Sequence, residues 1–215
     1  MTPPPHRLTA YIVHSEAQLR ALIGEPAALA RAKITDRLNA ATRVFIERSP
    51  FVCFATSDAA GRCDVSPRGD PPGFVRILDE RTLLIPERPG NRLADSLRNV
   101  LANPQVGLIF IVPGATDTFR VNGRATLTTD AALLAPCALE GRTPVLGLLV
   151  DIEEAYTQCS EAFLRSGLWD PARFVDPSAL PTGGQVHRAI QGEAFDAAKY
   201  DSERAERYRR REGFY

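Results

Sequence analysis

Short apolar runs separated by turn signals recur from residue 51 to residue 153, and no other feature of the sequence constrains the fold as strongly. Such runs are typical of β-strands that follow one another through hairpins. Strands are predicted at 51–56, 63–66, 73–78, 82–86, 106–112, 118–128 and 146–153, with Asn122-Gly123 as a bulge or bend inside the sixth. Two short helical insertions, at 91–101 and 131–139, interrupt the series. This succession favours an antiparallel barrel over a doubly wound parallel sheet.

Helical patterns flank the strands on both sides. Ser15 is a predicted cap for a short helix through Leu22, and apolar residues recur at helical spacing from Leu29 to Phe45, which predicts one amphipathic helix lying on an apolar surface. Further helices are predicted at 156–166 and 195–211, and the Pro-rich tail from residue 170 is expected to have no core of its own. The predicted organisation is an N-terminal helical segment packed on the barrel (1–48), the barrel itself (49–171) and a partly helical C-terminal extension (172–215). The predicted fold class is therefore mainly β (α+β), an antiparallel barrel with flanking helices.

Charge and residue types argue against several classes of function. Lys+Arg and Asp+Glu are both 26, so we expect no nucleic-acid partner. No segment approaches the roughly 20 apolar residues that cross a bilayer, so we expect no membrane partner. The first residues lack the pattern of a secretory signal, and the four cysteines lack the spacing of a metal site or a dense disulfide framework. We therefore expect reduced thiols in a cytoplasmic protein, with no metal and no histidine-dependent triad.

Two segments offer the groups that bind a nucleotide phosphate: backbone N–H groups and guanidinium forks close together. The first is Asp64-Val65-Ser66-Pro67-Arg68-Gly69-Asp70, where a strand ends in a sharp turn. The second is Arg88-Pro89-Gly90-Asn91-Arg92, directly before a predicted helix. Each segment alone is more typical of a solvated turn, but together they can converge on one dianion.

The sequence lacks the common signatures of dinucleotide binding and of hydrolysis. It has no Gly-x-Gly-x-x-Gly after a strand, no phosphate-loop Gly-Lys-Ser/Thr and no nucleophile elbow. Asp64, Asp70 and Asp151 are interpreted as residues of turns and of element ends. So little acid–base machinery fits an enzyme whose cofactor performs the difficult chemistry, and it fits a plain binding protein equally well.

Taken together, these segments resemble the flavin-binding relatives of pyridoxamine 5′-phosphate oxidase, and more narrowly a bacterial subgroup of that family. The residues that carry the resemblance are Asp64-Val65-Ser66-Pro67-Arg68-Gly69-Asp70, Gly73-Phe74-Val75, Leu84-Ile85-Pro86, Gly90-Asn91-Arg92, Asn99, Asn103-Pro104, Val106-Gly107-Leu108, Pro113-Gly114, Arg120-Val121-Asn122-Gly123-Arg124-Ala125 and Arg165-Ser166-Gly167-Leu168-Trp169-Asp170-Pro171. They cover most of the chain between residues 45 and 171.

The resemblance implies a split β-barrel that forms a homodimer, with two FMN molecules at the subunit interface. It places Val65, Ser66, Pro67 and Arg68 along the flavin ring and ribityl chain, and Ile85 and Pro86 with their backbone against the isoalloxazine. It assigns the phosphate to Asn91 and Arg92, adds Thr118 from the neighbouring strand, and brings Trp169 to the flavin of the other subunit. For Trp169, the alternative is that it packs the loop of its own subunit.

The chain departs from the subgroup around Cys159, where Gln158 and Glu161 stand in place of the usual His and Lys. We also find no match to the substrate-phosphate residues or the C-terminal Arg-x-His signature of the true oxidase, so that enzyme's reaction is not expected. The predicted function is an FMN-dependent oxidoreductase acting on a small substrate. A flavin carrier, buffer or redox sensor without turnover is the alternative. Haem is disfavoured because no axial His lies near the predicted site, and a deazaflavin because the neutral chain shows no extra basic surface for its longer anionic tail.

Overall fold

The computed structural model describes residues 11–215, which divide between Ile34 and Thr35 into two compact units. The first unit contains α1 (Glu16–Ile23) and α2 (Ala28–Ala32). Ser15 caps α1 as predicted: its hydroxyl oxygen accepts a hydrogen bond from the Gln18 amide at 3.2 Å. The residues that bear on a secretory signal lie mainly before residue 11, outside the described residues.

The second unit is built on one seven-stranded antiparallel sheet, with the strand order β2-β1-β5-β6-β7-β4-β3. The strands are β1 (Phe51–Ser57), β2 (Cys63–Gly69), β3 (Arg76–Ile77), β4 (Thr82–Pro86), β5 (Gln105–Ile111), β6 (Thr118–Thr128) and β7 (Gly147–Gln158). β4 and β6 have the predicted bounds, and the predicted irregularity at Asn122/Gly123 is a register shift between β6 and β7. These findings confirm the mainly β (α+β) antiparallel class.

Alternating residues of the strands form the core. In β1, Val52 and Phe54 are fully buried and point to the same face as Leu108 and Phe110 of β5, because successive side chains of a strand point to opposite faces. Two helices cover this core, α3 (Ala40–Arg48) and α4 (Asp95–Ala102). α3 contributes the buried Ile46 and stacks Phe45 on Phe119, with ring centroids 5.8 Å apart.

α4 is pinned to β1 by two side-chain hydrogen bonds. The Asn99 amide donates to the Thr56 hydroxyl at 3.0 Å, and the Asn103 amide donates to the Ser57 hydroxyl at 2.8 Å. These bonds hold the C-terminal half of α4 over β1, so the helix begins beside β2, at the edge of the sheet. No backbone ladder joins β2 to the segment after β4; side chains alone bridge that gap, which is the opening of a split barrel.

Smaller elements complete the unit: α5 (Ala131–Leu134), α6 (Glu161–Ser166), α7 (Gly183–Gln191) and α8 (Ala197–Arg209). α7 and α8 pack on each other through His187, Phe195 and Tyr200, with ring centroids 4.8 to 5.7 Å apart. Among residues 11–215, no helix has the length and apolar character needed to cross a membrane.

The structure corrects several element boundaries. The single helix predicted across residues 29–45 is wrong: Thr35 exchanges two backbone hydrogen bonds with Ala155, and this bridge separates α2 from α3. The helix predicted from Tyr156 begins only at Glu161, because β7 stays paired with β6 as far as Gln158. The third strand has two residues, where six were predicted, and α7 was not predicted at all.

Candidate functional site

β2 supplies one wall of the site. Asp64, Ser66 and Arg68 alternate along this strand and point to the face that Phe54 occupies on β1, because Ser66 is the register partner of Phe54. The Arg68 guanidinium lies 5.7 Å from the centre of the Phe54 ring. Since β2 is an edge strand, these polar side chains face the opening and not the sealed core.

The start of α4 supplies the opposite wall, and its first turn has no side-chain cap. The N-cap residue is Ala94, which adopts a left-handed conformation with φ 56° and offers no capping oxygen. Arg92, two residues earlier, is also left-handed, with φ 64°. The first N–H groups of a helix have no partner within the helix and carry a partial positive charge. An uncapped start therefore leaves donors available to an anion.

Side-chain hydrogen bonds join the two walls. The Ser66 and Ser96 hydroxyls lie 3.0 Å apart, and the Ser96 hydroxyl donates to the Asp64 carboxylate at 2.8 Å. The Arg68 guanidinium donates to the Ser66 hydroxyl at 3.2 Å and forms an ion pair with Glu87. This network holds β2 at a fixed distance from the segment that follows β4.

A second, more buried ion pair closes the far end of the same opening. Arg88 Nε lies 2.7 Å from an oxygen of Asp70, whose side chain is only 3% exposed. The Arg88 guanidinium also donates to the Cys137 carbonyl at 2.9 Å. Arg88 is thus committed to contacts within the chain, although it lies in the same predicted phosphate-binding segment as Arg92. Beside it, burial raises the pKa of the Cys137 thiol.

A cavity of about 800 Å³ lies between the two walls. Its charged lining consists of three arginines (Arg68, Arg88 and Arg92) and four carboxylates (Asp64, Asp70, Glu87 and Asp95). The last residues of the chain, Gly213, Phe214 and Tyr215, line it as well. Among the described residues, Arg92 is the lining arginine without an ion-pair partner, and Asp64, which accepts from the Ser96 hydroxyl, is the lining carboxylate without one.

The cavity brings together most of the predicted site residues. Those that line it are Val65, Ser66, Pro67, Arg68, Pro86, Asn91 and Arg92. Ile85 is buried in the core beside it, at 1% exposure. Thr118 is buried at the start of β6, opposite Gln158, and does not line the cavity.

Trp169 also lies outside the cavity formed by its own chain. Its indole N–H donates to the Ala115 carbonyl at 2.7 Å, and its ring lies 5.9 Å from that of Phe163. These contacts fix the loop after α6. Gln158 and Glu161, where the chain departs from the subgroup, lie outside the cavity too; Glu161 pairs with Arg165.

Sequence reasoning missed Ser96, Glu87 and Tyr215. Ser96 lies inside the predicted helix 91–101, and a polar residue in the first turn of a helix next to a phosphate-type segment was a usable signal. Glu87 adjoins the second candidate segment, but nothing in the sequence pairs it with Arg68. No local pattern brings Tyr215 to residue 88.

Comparison with known proteins supplies a family. The pyridoxamine 5′-phosphate oxidase family matches residues 38–159, which is more than half of the chain. No curated protein matches the sequence.

Several solved structures are similar in fold. Group A Streptococcus HupZ is 17% identical over 56% of this chain and 93% of its own, with a TM-score of 0.46. A putative pyridoxamine 5′-phosphate oxidase from Lactobacillus delbrueckii is 23% identical over 57% and 95%, with a TM-score of 0.44. An FMN-binding protein from Syntrophomonas wolfei is 11% identical over 55% and 89%, with a TM-score of 0.43.

Proposed function

Since the chain belongs to the pyridoxamine 5′-phosphate oxidase family, we propose that it binds FMN in the cavity between β2 and α4 and uses it as an oxidoreductase on a small substrate. The observation that carries the proposal is the meeting, across one cavity, of the polar face of β2 and the uncapped start of α4. A volume of about 800 Å³ falls within the range of roughly 300–1,000 Å³ that is usual for small-molecule and cofactor sites.

The donors around the cavity fit a nucleotide phosphate. The first residues of α4, Asp95, Ser96 and Leu97, line the cavity together with Ser66 and Arg92, and the α4 start has no side-chain cap. Arg68 is already neutralised by Glu87, and Arg88 by Asp70. The attraction for a phosphate therefore comes from Arg92 and the helix start, with Asn91 beside them, and the carboxylate of Asp64 opposes it.

The remaining lining fits the rest of the cofactor. Val65 and Pro67 line the cavity at the edge formed by β2, where their side chains alternate with those of Ser66 and Arg68 onto the outer face of the strand. Pro86 begins the opposite segment. These residues would lie along the flavin ring and ribityl chain, with Ile85 supporting Pro86 from the core. The flavin would supply the electron transfer, while the chain binds it, orients it and covers one side of it.

A titration that compares FMN with riboflavin tests this assignment. We expect the protein to be yellow or to become yellow with FMN, and to bind FMN at least tenfold more tightly than riboflavin, because only FMN presents a phosphate to Arg92 and α4. Equal affinities in a fluorescence titration would remove the phosphate argument. Mass spectrometry of the ligand that copurifies separates FMN from haem and from a deazaflavin.

A second measurement separates an enzyme from a flavin carrier or sensor. The FMN-loaded protein is mixed with a nicotinamide nucleotide under anaerobic conditions, and the loss of the visible absorbance of the oxidised flavin is followed. Reduction followed by rapid reoxidation in air supports an oxidoreductase. A flavin that no nicotinamide nucleotide reduces supports the carrier.

The proposal includes a homodimer whose two flavin sites lie at the subunit interface. The outer face of the β2-β1-β5 part of the sheet supports it, since this face is apolar and uncovered: Val65 is 63% exposed, and Ile109 and Phe51 are 38% and 36% exposed. An apolar patch of this kind usually marks an interaction surface. A twofold copy that covers it repeats every contact and so yields two equivalent sites.

Sedimentation of the FMN-loaded protein tests the shared site, and we expect a dimer at micromolar concentration. Trp169→Ala is expected to weaken FMN binding without dissolving the dimer, because one loop residue is a small part of such an interface. A monomer ends the shared-site proposal. A dimer in which Trp169→Ala leaves FMN affinity unchanged leaves Trp169 with the loop contacts to Ala115 and Phe163 alone.

A cytoplasmic location completes the proposal. Cys53, Cys63, Cys137 and Cys159 are all free in the structure. Thiols that stay reduced are typical of the cytosol.

A further inference from the structure

The chain folds back on itself after α8. The N–H groups of Arg211 and Glu212 donate to carbonyls in the last turn of the helix, at 3.1 Å and 2.9 Å, which is the hydrogen-bond pattern of a Schellman motif. Arg211 has a φ of 54°, and Gly213 follows with a φ of 77°. These two reversals bring residues 213–215 to the larger cavity, which all three of them line.

The side chain of Arg211 stabilises this reversal. The left-handed region is unfavourable for a residue with a Cβ, and glycine is the usual residue at this position of the motif. The Arg211 guanidinium pairs with Glu140 at 3.0 Å and donates to the Tyr215 hydroxyl at 3.1 Å. It also lies 5.4 Å from the centre of the Tyr215 ring. The contacts of this one side chain therefore offset the backbone strain and fix Tyr215.

A tight turn provides the anchor for these contacts. Leu139 and Arg142 exchange backbone hydrogen bonds, and the two residues between them, Glu140 and Gly141, have φ angles of 51° and 76°. Two central residues with positive φ are typical of a two-residue turn of type I′. From this turn, Arg142 donates to the main-chain oxygen of Tyr215. Tyr215 is thus held both at its hydroxyl and at its backbone.

Tyr215 lies where the larger cavity borders a smaller one of about 230 Å³. It lines both cavities, as does Arg88, whose guanidinium lies 5.5 Å from the centre of the Tyr215 ring. Arg88 is itself fixed by its buried ion pair with Asp70. It follows Pro86 by two residues, and Pro86 is the residue whose backbone faces the isoalloxazine in the proposed site. Tyr215 therefore lies beside the part of the cavity that is assigned to the flavin ring.

The side chains that residues 213–215 bring to the cavity are aromatic and uncharged. The Phe214 ring packs edge-on against Tyr208 of α8, with ring centroids 5.8 Å apart, so Tyr215 is the ring that lies next to Arg88. Aromatic rings pair with each other in offset-stacked or edge-to-face arrangements. A tyrosine at this place therefore fits a planar ring system such as the isoalloxazine and offers no cation to the phosphate.

From this arrangement we propose that residues 211–215 form a C-terminal lid on the flavin site, in which the ring of Tyr215 contacts the isoalloxazine and shields it from solvent. The lid belongs to the same chain as the cavity, so this contact needs neither a second copy nor Trp169. The inference rests on the proposed flavin site for its ligand, but the anchoring of the lid can be measured without flavin.

Fluorescence titrations of FMN and of riboflavin test the contact with the ring. Tyr215→Leu should weaken the binding of both flavins by the same factor, roughly two- to tenfold, which is the usual contribution of one aromatic pair. The two losses should be equal because the lid contacts the ring that both flavins share, whereas Arg92→Ala should weaken FMN alone. FMN bound to Tyr215→Leu should also fluoresce more brightly, because a phenol in contact with a flavin quenches its fluorescence by electron transfer.

Two further variants are the controls. Tyr215→Phe keeps the ring and loses only the bond from Arg211, so it should bind FMN about as tightly as the unmodified protein. Tyr11→Leu removes a tyrosine that is 85% exposed and lies outside both cavities, so it should change neither affinity nor brightness. Unchanged affinity or brightness in Tyr215→Leu, or an equal effect in Tyr215→Phe or Tyr11→Leu, overturns the proposal. Tighter FMN binding by Tyr215→Leu also overturns it, because the segment would then occupy the place of the flavin.

Hydrogen exchange of the amides of residues 211–215 tests the anchoring and separates the two proposals. In the FMN-free protein these amides should exchange more slowly than in Arg142→Gln, which lacks the bond to the Tyr215 backbone, and FMN should slow them further. Exchange that neither Arg142→Gln nor FMN changes overturns the lid. FMN binding that Tyr215→Leu does not alter refutes the lid alone and leaves the flavin function. Absence of FMN binding by the unmodified protein refutes the flavin function and the lid's role in it, whatever the exchange shows.

Discussion

Arg92→Ala tests the proposal that the phosphate of FMN binds at Arg92, beside the start of α4. Arg92 lines the larger cavity and has no ion-pair partner among the described residues, so the unliganded protein loses no charge pair when the side chain is removed. Its φ of 64° is as unfavourable for alanine as for arginine, so the substitution changes the backbone strain little. A lost charge-assisted contact to a phosphate costs about 1.5–3 kcal/mol, which is roughly a ten- to hundredfold weaker FMN affinity.

The assay is a fluorescence titration of FMN, with a thermal melt of the same sample as the check on folding. Arg124→Ala is the control, because Arg124 is exposed on β6 and does not line the cavity. We expect Arg124→Ala to change the affinity less than twofold, and Arg92→Ala to leave the melting temperature of the FMN-free protein unchanged. If Arg124→Ala weakens FMN binding more than Arg92→Ala, the phosphate has been placed wrongly.

Three further predictions concern the frame of the site. Arg88→Ala leaves Asp70 buried without its ion-pair partner and should lower the free energy of unfolding, measured in urea, by about 3–5 kcal/mol. A decrease of less than about 1 kcal/mol would show that the ion pair is solvated. Gly123→Ala puts a Cβ 2.0 Å from the Asp151 carbonyl oxygen and should lower the free energy of unfolding by about 3 kcal/mol, which is roughly 6–12 °C in melting temperature. The control is Gly90→Ala, which has open space around it and should leave the stability nearly unchanged. Cys63 and Cys159 are exposed and should react with a thiol reagent at pH 8 in the folded protein. Cys137 should react only after unfolding, because burial disfavours its thiolate, and modification of Cys137 in the folded protein would contradict this prediction.

The strand series was predictable because turn signals bound the strands and most neighbouring pairs in the sheet, such as β1–β2 and β5–β6, are consecutive in sequence. The placement of β5 beside β1 and of β4 beside β7 has no such local signal. The bounds of β4 and β6 agree with prediction because Pro86 ends one strand and Thr118–Thr128 is bounded by turn residues. Helix boundaries were less predictable, because tertiary pairing decided them: Thr35 pairs with Ala155, and β7 continues along β6 past Tyr156. Local periodicity does not register a backbone partner more than a hundred residues away.

The candidate site was predictable to the level of segments but not of single residues. The two phosphate-type segments meet, because β2 and the segment after β4 lie on the two sides of the split. Which arginine stays available was not predictable, because Arg88 and Arg92 have the same local surroundings in sequence. The difference arises from Asp70, which lies on the opposite side of the gap.

The three arginines that line the larger cavity divide by their partners, and this division has a functional consequence. Arg68 and Arg88 pair with Glu87 and Asp70 across the gap, so their charges stabilise the frame and attract no ligand. Arg92 lacks such a partner among the described residues and lies beside the start of α4, whose first turn has no side-chain cap. A cofactor phosphate would therefore be drawn to that end of the larger cavity. The paired arginines add no net positive charge that would hold the phosphate elsewhere.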